Sequence, residues 1–203
     1  MDQLVVATSN REKYREFQRL LSGLEVSLKS LADFPNVPLV EETENSLAAN
    51  ARLKASSYAR SLGEWVLSDD TGLEVQALGG QPGVCSARYA GPQATMAENR
   101  KLLLEQLKRF PDEQRHAKFV CCLALSNPSG VVVLESCGEC RGCILCEPTG
   151  TGGFGYDALF QVEGHSRTLA EFSAEETERH GHRGKAVRRL LEQWNGTFPQ
   201  SIP

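Results

Sequence analysis

Two pairs of adjacent carboxylates, Glu41-Glu42 and Asp69-Asp70, are the first places in this chain where residue type and spacing suggest chemistry. Neighbouring acids repel unless a proton or a cation relieves them. Mg²⁺ suits such pairs, because it takes oxygen ligands, keeps several waters and binds through one or two carboxylates plus substrate phosphates. The turn Thr8-Ser9-Asn10-Arg11-Glu12-Lys13 follows the apolar run Leu4-Val5-Val6-Ala7 and opens a helix. Exposed backbone N–H groups and the positive end of the helix dipole favour phosphate there, with Lys13 one turn in. The bland alternatives are a capped helix with a surface lysine and, for Asp-Asp-Thr-Gly, a tight turn.

Three further segments carry weaker signals. Gly150-Thr151-Gly152-Gly153-Phe154-Gly155 matches a dinucleotide-type glycine pattern by letter, but it follows no clear strand and leads into an extended run, so the Rossmann context is missing. What remains is a loop whose backbone can approach a ligand closely, with Phe154 and Tyr156 as candidate stacking faces or as core. His180-Gly181-His182-Arg183-Gly184-Lys185 places two glycines in a helical pattern at about 1 kcal/mol each, which implies a break, and its imidazole and guanidinium donors suit carbonyl oxygens or phosphate. Cys137, Cys140, Cys143 and Cys146 are spaced like an iron–sulfur run, yet on a strand a spacing of three sends successive cysteines to opposite faces.

Around these candidates the chain alternates strand and helix signals. Tyr14, Phe17, Leu20 and Leu21 share one helical face before Gly23. A second helix is expected from about Ser46 to Leu62, ending at Gly63, and Trp65-Val66-Leu67 is a strand that breaks into the polar cluster at Ser68–Gly72. Capping boxes at Thr95/Glu98 and Ser173/Glu176 start two more helices, the last ending near Trp194, and Phe119–Leu125 with Val131–Leu134 reads as a hairpin. These elements predict an α/β or α+β fold around one central sheet, in one domain over 1–203.

Composition narrows the partners. The 203 residues carry 22 Lys and Arg against 26 Asp and Glu, a net charge of −4, so no basic face is available for a nucleic-acid polymer. No window approaches the roughly 18 apolar residues of a membrane span, and the chain opens without a basic, apolar leader, so a cytoplasmic protein with reduced thiols is expected.

Taken in order, these segments resemble the inosine triphosphate pyrophosphatase family. The resemblance rests on Thr8-Ser9-Asn10 with Lys13, Glu41-Glu42-Thr43, Asn50-Ala51 with Lys54-Ala55, and Ser68-Asp69-Asp70-Thr71-Gly72-Leu73. It continues through Gly79-Gly80, Pro82-Gly83, Ser86-Ala87-Arg88-Tyr89, Gly152–Asp157 and His182-Arg183-Gly184. It implies an elongated α/β protein with a curved mixed sheet and two lobes flanking a cleft, commonly a homodimer. It also implies Mg²⁺-dependent hydrolysis of ITP, dITP or XTP to the monophosphate and pyrophosphate. By the same resemblance Thr8, Ser9, Asn10, Arg11, Glu12 and Lys13 cradle the triphosphate, Glu41 and Asp70 hold the metal, Asp70 takes a proton from the attacking water, and Thr71 contacts substrate. Phe154, Gly155, Tyr156, Asp157, Thr177, His182 and Arg183 fall to the base and nucleotide. The chain departs from the family pattern at Ala49, Thr177 and Gly181, where Glu, Lys and Ser are common. An iron–sulfur redox protein using the four cysteines, and a nucleotide-binding module without turnover, are the alternatives.

Overall fold

The computed structural model describes residues 1–197. Strand β1 (Gln3–Val6) shows how the first part of the chain is organised. Side chains of a strand alternate between its faces, and the two faces of β1 enter different cores. Leu4 and Val6 pack with Phe17 of α1 (Arg11–Leu20) and with Val187, Leu190 and Trp194 of α5 (His182–Thr197). Val5 and Ala7 pack with Tyr58 and Ala59 of α2 (Leu47–Leu62). A strand covered on both faces needs a continuous apolar run, which Leu4-Val5-Val6-Ala7 supplies.

Strand β3 (Val66–Val75) lies parallel to β1 and repeats the alternation, Leu67 entering the first core and Val66 the second. Strand β2 (Ser27–Ser30) flanks β1 on its other side, also parallel. The seven-stranded sheet runs β2-β1-β3-β5-β6-β7, through β5 (His116–Ser126), β6 (Val132–Ile144) and β7 (Phe160–Val162), while the two-residue β4 (Pro82–Gly83) pairs antiparallel with β3. The mixed α/β class and the single sheet expected from the sequence are those observed.

The contacts divide into two compact units that interleave along the chain. One comprises Met1–Asp70, Cys121–Gly138 and the residues from Arg183 onward, and the other Thr71–Val120 and Glu139–His182. The second unit has its own core, in which Leu103 and Leu107 of α3 (Met96–Leu107) meet Leu73, Phe119, Ile144, Tyr156 and Phe160. The expected capping boxes are present at Thr95/Glu98, opening α3, and at Ser173/Glu176, opening α4 (Ala174–His180). The break expected near the paired glycines falls at Gly181, whose N–H donates to the Thr177 carbonyl at 2.8 Å, so the final helical stretch is two helices, α4 and α5.

Three sequence expectations are corrected. The polar cluster at Ser68–Gly72 is not a turn beyond a strand, since β3 runs through it to Val75 with both aspartates buried. The cysteines are not all reduced: Cys122 and Cys137, on neighbouring strands of the β5–β6 hairpin, form a disulfide. That bond also removes Cys137 from any cluster. Cys140 packs in the core of the second unit, Cys143 faces Gln161, and Cys146 lies beyond the strand against Asp112. Among the described residues no three or more His, Cys, Asp or Glu side chains are grouped to hold a metal, and the iron–sulfur alternative is set aside. No described helix is long and apolar enough to cross a membrane.

The disulfide closes a loop with a sequence separation of 15, for which chain entropy implies about 3 kcal/mol of stabilisation. Non-reducing peptide mapping is expected to recover Cys122 joined to Cys137, and reduction to lower the unfolding free energy by that order. Two free thiols at these positions in the purified, unreduced protein would contradict the assignment.

Candidate active site

The period of the strand decides where the acidic pair points. Asp69 shares the face of Leu67, toward α1 and α5, and Asp70 shares the face of Val66, toward α2. Each carboxylate therefore meets different hydrogen-bond partners, although the two are adjacent in sequence and Lys54 acts electrostatically on both.

On the Asp69 side, α1 is started by Asn10, whose Oδ1 accepts the amides of Glu12 and Lys13 at 2.9 and 3.2 Å, while Thr8 Oγ1 accepts the amide of Asn10 at 3.1 Å. The cap places Lys13 one turn into the helix, where its Nζ donates to Asp69 Oδ2 at 2.7 Å. Arg183, in the first turn of α5, approaches the same oxygen at 3.7 Å through Nη2 and donates through Nη1 to Glu16 Oε2 at 2.5 Å. Glu16 stands three residues after Lys13, so both reach this network from one helix face. Asp69 is only 2% exposed. Burial alone would raise its pKa, but Lys13, Arg183 and Lys54 outweigh burial and hold it well below the usual carboxylate range. Glu16 and Asp69 likewise outweigh burial to keep Arg183 firmly charged.

On the Asp70 side the partners come from α2, a helix capped by Ser46 and ended by Gly63 in the left-handed conformation at φ 67°. Asn50 Nδ2 donates to Asp70 Oδ2 at 3.1 Å, and Lys54 Nζ lies 3.4 Å from Asp70 Oδ1 and 2.5 Å from Glu42 Oε1. Asn50 and Lys54 are one helical turn apart and so face β3 together. Asn50 also accepts the amide of Glu44 at 3.0 Å through Oδ1, which ties the acidic segment before α2 to the same place. Ser68 shares this face of β3 and donates to the Ala51 carbonyl. Burial raises the Asp70 pKa, Lys54 opposes it, and the negative charges of Glu42 and Asp69 push it up again, leaving this carboxyl above its ordinary value. One aspartate is thus a firmly held anion and the other a stronger base.

Beside the helix start lies a cavity of about 290 Å³ bordered by Thr8, Ser9, Asn10 and Arg11 of the turn and by Arg15 and Ser30. Glu41 is exposed, and it is its neighbour Glu42 that Lys54 joins to Asp70. The oxygen donors of Asp70 and Glu42 within reach of one ammonium are chemically suited to a hard divalent cation. Like-charge repulsion at Asp70 adds a reason for a cation there.

Apart from Arg183, which belongs to the first unit, the remaining expected residues lie in the second unit. Thr71 is half-buried on β3, and Thr177 is half-buried on α4. Phe154 and Gly155 are half-buried in the glycine loop, and Asp157 Oδ2 accepts the amide of Phe154 at 2.8 Å. Tyr156 is 2% exposed, packs in the core and donates through its hydroxyl to the Ser86 carbonyl at 2.9 Å, so its ring is a core element and not a stacking face. His182 is buried and stacks on Phe119, with ring centroids 4.8 Å apart. Arg183 is 2% exposed and paired with Glu16 and Asp69.

Sequence reasoning passed over Glu16 and the particular place of Glu42. A charged residue among Tyr14, Phe17 and Leu20 on the buried side of a helix was the available signal for Glu16.

The sequence model of the Ham1 family matches residues 4–193. Over 195 residues the chain is 46% identical to the dITP/XTP pyrophosphatase of Geobacillus kaustophilus, covering 96% of this chain and 95% of that one. It is 43% identical over 196 residues to the dITP/XTP pyrophosphatase of Bacillus cereus, with 95% of each covered. Among solved structures, a HAM1 protein from Coxiella burnetii superposes with a TM-score of 0.87 at 39% identity, covering 97% of this chain and all of that one. The Ham1 protein of Staphylococcus aureus superposes at 0.85 with 33% identity, again over 97% of this chain and all of that one.

Because the folded pKa of Asp69 lies below the unfolded value near 3.9, its ion pairs stabilise the fold fully above that value and lose this contribution as pH falls through the folded pKa. Asp69→Asn leaves Lys13 and Arg183 short of a buried partner and is expected to cost about 3–5 kcal/mol at pH 7. Denaturant unfolding from pH 7 to pH 3 should show the loss at neutral pH and a shallower acid dependence in the variant; parallel curves with no offset would contradict it.

Proposed function

The chain belongs to the Ham1 family, and on that premise we propose that it hydrolyses non-canonical purine nucleoside triphosphates of the dITP, XTP and ITP type to the monophosphate and pyrophosphate. The observation that carries the reading is the division of labour at β3, where Asp69 is held as an anion by Lys13 and Arg183 while Asp70, opposite, is raised in basicity and faces Lys54 and Glu42. Curated relatives matching nearly end to end are named dITP/XTP pyrophosphatases, which supports the substrate class.

In this reading the turn from Thr8 to Lys13 receives the triphosphate at the α1 N-terminus. The side-chain oxygens of Thr8 and Asn10 keep the turn in shape by holding the amides of Asn10, Glu12 and Lys13. Lys13, fixed by Asp69, supplies positive charge beside the phosphates. Asp70 orients the attacking water and accepts its proton, a task helped by a carboxylate more basic than usual. Lys54 holds Asp70 and Glu42 in place. The product charge on pyrophosphate is then stabilised by donors already fixed before the reaction.

Mg²⁺ is the cofactor of this reading, held by Asp70 with the Glu41-Glu42 pair, Glu42 being the member that Lys54 joins to Asp70. When bound it spreads the negative charge of the triphosphate. Phe154, Gly155, Asp157, Thr177 and His182 are the residues this reading assigns to the nucleotide, Thr71 adding a contact beside Asp70.

Pyrophosphate release is expected from dITP, XTP and ITP at saturating Mg²⁺, with dATP far slower. Asp70→Asn preserves size and is expected to lower kcat about 10²–10⁴-fold while nucleotide binding persists. No release from any of these nucleotides with Mg²⁺ present, or full activity in the Asn variant, would refute the proposal.

A further inference from the structure

The glycine loop before β7 is fixed at four points, all within the second unit. Gly152 donates its N–H to the Ala170 carbonyl at 3.0 Å, Asp157 accepts the Phe154 amide at 2.8 Å, and the Tyr156 hydroxyl reaches the Ser86 carbonyl at 2.9 Å. The fourth point comes from a residue no sequence motif singled out. Arg100, half-buried on α3, donates through Nη1 to the Gly155 carbonyl at 2.7 Å. Gly155 itself has φ 65°, a conformation that side chains disfavour, so the peptide that follows it depends on an external partner for its orientation.

We propose that Arg100 is a positioning residue for recognition of the purine, a proposal that rests on the functional reading above. The peptide joining Gly155 to Tyr156 is trans, so its carbonyl and its N–H point in opposite directions. With the carbonyl held by Arg100, the Tyr156 N–H is turned away from α3, and no described residue accepts it. A backbone donor fixed in this way suits a 6-keto purine, whose oxygen accepts, and disfavours a 6-amino purine, which presents a donor to a donor. The guanidinium is permanently charged, and a charge-assisted bond to a carbonyl is stronger than a neutral one. Arg100 therefore sets how sharply the loop distinguishes keto from amino bases, while Asp157 fixes the backbone amide of the neighbouring, half-buried Phe154. Since it touches neither the phosphates nor Asp70 in this account, its removal should spare the chemical step.

The test compares the unsubstituted enzyme with Arg100→Ala and Arg100→Lys, measuring pyrophosphate release from dITP and dATP with Mg²⁺ and thermal melting of each protein. Loss of a charge-assisted hydrogen bond is expected to raise KM for dITP about tenfold in Arg100→Ala and to narrow the dITP-over-dATP preference to a similar degree. The kcat for dITP should stay within about threefold, and Arg100→Lys, which keeps a charged donor, should recover most of the KM. Unchanged KM and selectivity in Arg100→Ala would overturn the proposal alone. A fall in kcat that tracks a fall in melting temperature, not relieved by lysine, would also overturn it by showing a merely structural role. Absence of release by the unsubstituted enzyme would remove the functional reading and this proposal with it.

Discussion

A strand shows its side chains to alternate faces, and at Asp69-Asp70 this rule separates two charges that would otherwise share one environment. The separation requires β3 to be covered on both sides. α1 and α5 cover one face and α2 the other, as the two cores around Leu67 and Val66 show. Lys13, Arg183 and Glu16 can then gather on Asp69, and Asn50, Lys54 and Glu42 on Asp70. The polar residues at the middle of β3 are tolerable in a buried strand only because each has such partners.

The same arrangement links fold to chemistry. An anion held by a buried guanidinium and a half-buried ammonium is a fixed part of the scaffold, and its loss would leave charge without compensation. The neighbouring carboxylate has fewer attractive partners and more like charge around it, which leaves it basic and suited to a proton or a divalent cation. The Asn10 cap carries this organisation to the turn proposed to receive the phosphates, since the same short segment starts α1 and sends Lys13 to Asp69. In the second unit the division is between rigid and reactive parts. The Tyr156 ring and the His182 imidazole are buried, the latter stacked on Phe119, and Asp157 and Arg100 hold the loop that carries Phe154 and Gly155.

What could be seen in the sequence follows from how local each signal is. The Asn10 cap, the capping boxes at Thr95 and Ser173, the Gly63 terminator and the apolar run of β1 are written within a few residues, and all are found where expected. Ser68–Gly72 misled because its composition is that of a turn, while its strand conformation depends on partners 16–20 residues earlier on α2 and on Lys13 and Arg183 far along the chain. The disulfide likewise joins cysteines whose meeting depends on hairpin register, which a count of cysteines does not reveal. Arg183 was recognised as important, but its burial against Glu16 could not be inferred from the His-Arg-Gly segment alone. Arg100 had no sequence signal, because its partner is a backbone carbonyl 55 residues away.

The most direct measurement is a carboxyl ¹³C NMR titration of the metal-free protein, resolving Asp69 and Asp70 individually. Asp69 is expected to remain ionised well below the ordinary carboxylate range and Asp70 to titrate above it. Two ordinary titrations, or the reverse order, would contradict the division of roles on which the proposed chemistry rests.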